Sequence, residues 1–180
     1  MIRAFVGIAM PEEVTARLRL LQFLLPLPRR TEPEDFHLTL AFLGEQPDPV
    51  LEAVHEGLEA LVIAPFALEL RGVGLFGGAK PRIAWAGVAA NPALIHLQAK
   101  VARIAVAAGV PVAARDFAPH VTLGRFPPPD PEAALRLEQA VVAEQGFHAG
   151  PWLVPDIRLY ASHSGGKGPR YESLAAYPLA

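Results

Sequence analysis

The sequence predicts a bilobal fold, two pseudo-symmetric α/β lobes about a central cleft. Three observations lead there. Strand and helix patterns alternate as β-α-β-α-β and then β-α-β-α-β-β. Five short strings recur in the same order, 80 to 88 residues apart. No low-complexity segment or linker interrupts the 180 residues. The expected organisation is one domain over residues 1–180, carrying an internal duplication of roughly 1–82 and 83–180.

The elements follow in order. Residues 2–9 form an apolar strand. "PEEVTARLRLLQFLL" is a helix with Pro11 and two glutamates at its start, where proline is tolerated and negative charge meets the helix dipole. Residues 34–43 are a strand, and "PDPVLEAVHEGLEALV" is a helix with Asp48 as its expected N-cap. "FALELRGVGLF" alternates as a strand, "GGAKP" turns, and "RIAWAGV" is the next strand. A helix runs from the Asn91 cap to Gly109. "APHVTLGRF" is a strand, "PDPEAALRLEQAVVAEQ" a helix, and 153–162 a strand. "GGKGP" turns into a closing strand, "RYESLAAYPL".

The repeat aligns "AFVGIAMP" (Ala4–Pro11) with "AWAGVAANP" (Ala84–Pro92), and "HLTL" at 37 with "HVTL" at 120. It also pairs the two "PDP" strings, Phe66 with Phe147, and "GGAKPR" with "GGKGPR".

Composition narrows the function. A net charge of −2 excludes a large basic nucleic-acid surface but leaves room for a small phosphate site. The absence of cysteine excludes disulfides and cysteine-ligated metals. No His-x-x-x-His or related ligand spacing is present, so neither metal nor other cofactor is expected. "LRLLQFLLPLP" is too short and too interrupted to span a bilayer. A cytoplasmic monomer without membrane contact is the expectation.

The chemistry resides in the two His-x-Thr units. Side chains alternate along a strand, so His37 and Thr39 share one face while Phe36, Leu38, Leu40 and Phe42 share the apolar one. The same holds for His120 and Thr122. Related by a pseudo-twofold, these four side chains face one another. Two imidazoles serve as general acid and general base near neutral pH. Two hydroxyls can donate to anionic oxygens and stabilise developing charge. The set suits in-line displacement at phosphorus, and no serine or cysteine nucleophile stands out.

"FHLTLAFLGE", "FAPHVTLGRF", "RAFVGIAMPEEV", "PRIAWAGV" and "LYASHSGGKGPRYESLAAYPL" together resemble the two-histidine (2H) phosphoesterase superfamily. Within it they are similar to the RNA 2′,3′-cyclic phosphodiesterase branch, historically called 2′-5′ RNA ligase. The resemblance implies an α+β fold with two antiparallel sheets around the cleft. It implies metal-independent hydrolysis of RNA or nucleoside 2′,3′-cyclic phosphates to 2′-phosphomonoesters, with RNA ends or small cyclic nucleotides as partners. It implies His37 as proton donor to the leaving 3′-oxygen and His120 as acceptor from water, roles the residues alone do not assign. The same site could run in reverse as a 2′-5′ ligase, or the chain could be a non-catalytic nucleotide-binding module.

The family also places a phosphate-contacting arginine at Arg125. Strict alternation puts Arg125 on the wrong face, and a bulge, eased by Gly124, would re-aim it. Phe42, at the same offset in the first unit, is expected in the core. Phe5 and Trp85, taken as equivalent positions of the repeat, are expected to pack in the core, with one of them lining the cleft against a nucleobase as the alternative. Lys80, Arg82, Lys167 and Arg170 read as solvated turn charges. His55 and His96 read as helix-surface or packing residues, and His148 and His163 fall near strand ends.

Overall fold

The computed structural model describes residues 1–111, 117–165 and 168–180; Lys167 lies outside them. Eight strands and four helices are β1 (Ile2–Ala9), α1 (Glu12–Leu24), β2 (His37–Gln46), α2 (Asp48–Glu59), β3 (Ala67–Phe76), β4 (Ile83–Val88), α3 (Pro92–Ala107), β5 (His120–Arg125), α4 (Pro131–Ala143), β6 (His148–Leu153), β7 (Asp156–Gly165) and β8 (Gly168–Pro178). The fold is α+β and every strand pairing is antiparallel.

The strand order is β6-β3-β4-β5-β2-β1-β7-β8. The two sheets expected are thus the two four-stranded halves of one continuous sheet. They meet at one residue pair, Leu38 opposite Val121, at the centres of the two His-x-Thr units. The halves of the sheet are not the halves of the chain. β7 and β8 return to pair beside β1, while β3 crosses to pair with β4. Helices sort in the same crossed way. α3 and α2 pack on β2 and β8, and α1 and α4 pack on β6 and β3. Reading outward from the centre, β2-β1-β7-β8 mirrors β5-β4-β3-β6.

Burial of Leu38, Leu40, Val121 and Leu123 with Leu18, Leu21, Leu97 and Val101 builds the core between the sheet and its helices. The opposite sheet face carries the histidines. Asn91 caps α3 by accepting a hydrogen bond from the Leu94 amide at 3.1 Å. Asp130 caps α4 in the same way, at 2.9 Å from the Ala133 amide. The expected cap at Asp48 is not used: Asp48 is the first helical residue, preceded by Pro47 with no side-chain cap. β6 has no strand signature in the sequence, because "HAGPWL" holds a glycine and a proline. It lies at the sheet edge, where a missing N–H costs no ladder bond. Among the described residues no helix is long and apolar enough to cross a membrane.

Candidate active site

β2 begins only at His37, because residues Pro33–Asp35 form a 3₁₀ turn. That turn presents the Asp35 carbonyl to the imidazole, and His37 Nδ1 donates to it at 2.7 Å. His120 Nδ1 donates to the Ala118 carbonyl, also at 2.7 Å and also two residues upstream. A carbonyl only accepts, so the proton of each neutral ring is on Nδ1 and Nε2 is left free. Continuing the Leu38–Val121 register by one residue sets His37 against Thr122 and Thr39 against His120. All four side chains are partly buried on the same face.

Arg125 joins them. β4 pairs Trp85 with Thr122 and Ala84 with Gly124, so Leu123 is an extra residue in β5. This bulge resets the alternation and turns Arg125 to the cleft face. Its positive charge acts on both imidazoles and on Tyr171. The same device operates in β2. β1 pairs Gly7 with Thr39 and Val6 with Ala41, which leaves Leu40 extra. The expectation that Phe42 belongs to the core is therefore wrong: the bulge turns it outward, 64% exposed, with its ring 6.3 Å from that of Phe5.

Phe5 is buried as expected, whereas Trp85 is not. Phe5 lies on the histidine face, outside the core cluster. Its ring is 4.5 Å from that of His37 and stacks on Tyr160 at 4.9 Å. Trp85 is half-buried on the cleft face, 6.5 Å from His120. The two are not equivalent. Phe5 stands opposite Phe42 and Trp85 opposite Thr122, so the counterpart of Trp85 is Gly7. A Cβ on Gly7 would lie 2.9 Å from the Leu38 oxygen and 3.6 Å from the His37 ring. The place a side chain at Gly7 would take is already closed by the Leu38 carbonyl and the Phe5 ring.

Two aromatic rings contact the imidazoles edge-on, Tyr171 with His37 at 4.8 Å and Phe76 with His120 at 5.1 Å. Neither was singled out from sequence. They arrive on β8 and β3, the crossing strands, and carry no local signature. A cleft of about 510 Å³ opens beside His37, walled by Met10, Phe36, Arg158, Tyr160 and Tyr171. Arg158 is held there by Asp156 at 2.8 Å.

Burial dominates the electrostatics. It pushes the His37 pKa down to about 4, against the pull of the Asp35 carbonyl and assisted by the charges of Arg125 and His120. Burial lowers His120 as well, opposed by the Ala118 carbonyl and aided by Arg125. Both rings are therefore favoured neutral while the cleft holds no anion. An anion held by Arg125 would raise both.

The remaining histidines are elsewhere. His55 pairs with the Tyr177 hydroxyl at 2.8 Å and His163 with Glu172 at 2.9 Å, while His96 and His148 are exposed. Lys80, Arg82 and Arg170 are exposed, as expected of turn charges. Among the described residues no group of three or more His, Cys, Asp or Glu side chains is placed to hold a metal ion.

The fold is thus two mirrored four-stranded halves, joined where two His-x-Thr units meet. Residues 10–166 match the 2′-5′ RNA ligase superfamily, and the chain belongs to that superfamily. It is 38% identical over 162 residues to an RNA 2′,3′-cyclic phosphodiesterase of Geobacillus stearothermophilus, covering 85% of this chain and 49% of that protein. The chain thus spans about half the length of that relative. It is 35% identical over 154 residues to an RNA 2′,3′-cyclic phosphodiesterase of Aeropyrum pernix, covering 82% and 85% of the two chains. The crystal structure of E. coli LigT complexed with 3′-AMP superposes with a TM-score of 0.80 at 25% identity, covering 99% and 98%.

Proposed function

We propose that this chain hydrolyses 2′,3′-cyclic phosphates of RNA ends or nucleosides to 2′-phosphomonoesters by metal-independent acid–base catalysis. One observation carries the reading: two imidazoles, each held through Nδ1 by a backbone carbonyl and with Nε2 left free, lie on one face of the sheet beside two threonines and Arg125. In the proposed step, water attacks phosphorus in line with the 3′-oxygen. His120 Nε2 takes the water proton as the new P–O bond forms. His37 Nε2–H gives its proton to the 3′-oxygen as the P–O3′ bond breaks. Thr39, Thr122 and Arg125 hold the non-bridging oxygens, whose charge grows in the transition state.

His37 must gain its proton as the substrate binds, because burial disfavours it beforehand. A bound phosphodiester anion supplies that stabilisation. Tyr160 and Tyr171, walls of the cleft beside His37, offer apolar faces to a nucleoside. The names of the relatives and the 3′-AMP complex of LigT support this substrate class. Both imidazoles come from one chain, which supports action as a monomer; a cytoplasmic site of action agrees with the RNA substrate. The mirrored strand order likewise supports an internal duplication, with its third strand exchanged between the halves.

The test is digestion of a nucleoside 2′,3′-cyclic phosphate in EDTA, with the monophosphates resolved by phosphorus NMR. A 2′ product is expected. A predominantly 3′ product reverses the two histidine roles, a mixture means that the difference between the lobes, Phe42 in one and Arg125 in the other, does not orient the nucleoside, and activity that returns only with a divalent ion overturns metal independence. Ligation to a 2′-5′ bond would be the same displacement with an RNA 5′-hydroxyl in place of water as the attacking group, and water at its ordinary concentration favours hydrolysis.

A further inference from the structure

Gln22, on α1, is the one fully buried polar side chain among the described residues, at 5% exposure. Buried amides are kept where their hydrogen bonds are made. Its Nε2 donates to the Leu123 carbonyl at 2.8 Å and to the Thr31 carbonyl at 2.8 Å. Both partners only accept, so the amide orientation follows from the bonds themselves. Leu123 is the extra residue of the β5 bulge. Its carbonyl also accepts from the Thr31 amide at 2.9 Å. Gln22 therefore ties the bulge to the chain segment that follows α1.

The other lobe repeats the arrangement. Gln98, on α3, donates through Nε2 to the carbonyl of Leu40, the extra residue of the β2 bulge, at 3.3 Å. In both lobes a glutamine on the crossing helix grips the carbonyl of the inserted residue. In both, the residue two positions further on is turned to the histidine face of the sheet: Phe42 in one, Arg125 in the other. Two matching clamps on two matching bulges point to a device for aiming those side chains rather than incidental satisfaction of one amide.

We propose that Gln22 is a positioning residue for Arg125, holding the β5 bulge at Leu123 so that the guanidinium is presented to both imidazoles and to the bound phosphate. The phosphate clause rests on the proposed function; the presentation to the imidazoles does not. Gln22 touches no reacting atom. It acts by fixing where Arg125 leaves the strand, and loose placement of a charged group sacrifices transition-state stabilisation.

The test uses Gln22→Met, Arg125→Ala and the double variant of the full chain. Imidazole titrations are followed by NMR without substrate, beside steady-state hydrolysis of a nucleoside 2′,3′-cyclic phosphate. The charges acting on the two rings are Arg125 on both and His120 on His37. Gln22→Met should raise both histidine midpoints in the direction that Arg125→Ala raises them. It should lower kcat/KM roughly tenfold, and should add nothing in the Arg125→Ala background. Unchanged midpoints, or a further loss in that background, would overturn the proposal. If Gln22→Met does not fold cooperatively, Gln22→Leu, uncharged and likewise lacking the amide donors, is measured by the same titration. A wild-type protein inactive on the cyclic phosphate, with the midpoint shifts intact, would sink the substrate reading and leave the positioning role standing.

Discussion

Acidification should destabilise this fold through His37, and replacing that residue should remove the loss. The neutral imidazole is packed under Phe5 and Tyr171, and burial holds its pKa at about 4. In the unfolded chain a histidine titrates near 6.5. The folded pKa is the lower one, so between these values the unfolded state binds the proton and the native state does not. Stability from this group is complete above the unfolded pKa and falls as pH drops toward the folded one. Linkage gives a loss of about 2 kcal/mol at about pH 5 and about 3 kcal/mol below pH 4. Carboxylates titrate over the same range, so the quantity to measure is a difference between two proteins. His37→Gln has no titrating group at that site. Urea unfolding, followed by the fluorescence of Trp85 and Trp152, gives the free energy of each protein at about pH 7.5 and about pH 5. Wild type should lose about 2 kcal/mol more than the variant across that interval. Equal losses would refute the buried, neutral state of His37, and with it the argument that substrate binding loads its proton.

Other outcomes follow from the same geometry. His37→Ala and His120→Ala should each lower kcat by about 10²–10⁴-fold with the fold retained by circular dichroism. The double variant should be little worse than the poorer single one, since both groups act in one step. Because burial lowers both histidines, the bell of kcat/KM against pH should centre below about 6.5; a centre above neutrality would contradict the pairing of these two groups in catalysis. Gly124→Ala should cost about 1–3 kcal/mol in urea unfolding, because its Cβ would fall 2.2 Å from the Arg29 carbonyl oxygen; no loss would mean that the segment after α1 does not press on the bulge.

What the sequence determined by itself is local in origin. Alternation in a strand is a property of the backbone, so "HLTL" and "HVTL" each placed a histidine and a threonine on one face before any partner was known. Asn91 ahead of Pro92 marked the start of α3, because the cap is made within one turn. Recurrence of the His-x-Thr unit then implied that the two faces meet. What only the tertiary structure decided depends on pairing between distant segments. A bulge exists only relative to a neighbouring strand, so the alternation of β2 and β5 alone misassigned Phe42 and left Arg125 open. The offset that aligned Phe5 with Trp85 was two residues out, because string similarity does not set hydrogen-bond register. Tyr171 and Phe76 reach the imidazoles on strands that cross between the lobes, and crossing is a choice among long-range pairings that leaves no mark in either strand. The depressed pKa of His37 has the same origin: it measures how much protein closes over the ring, which the residues around His37 in the chain do not specify.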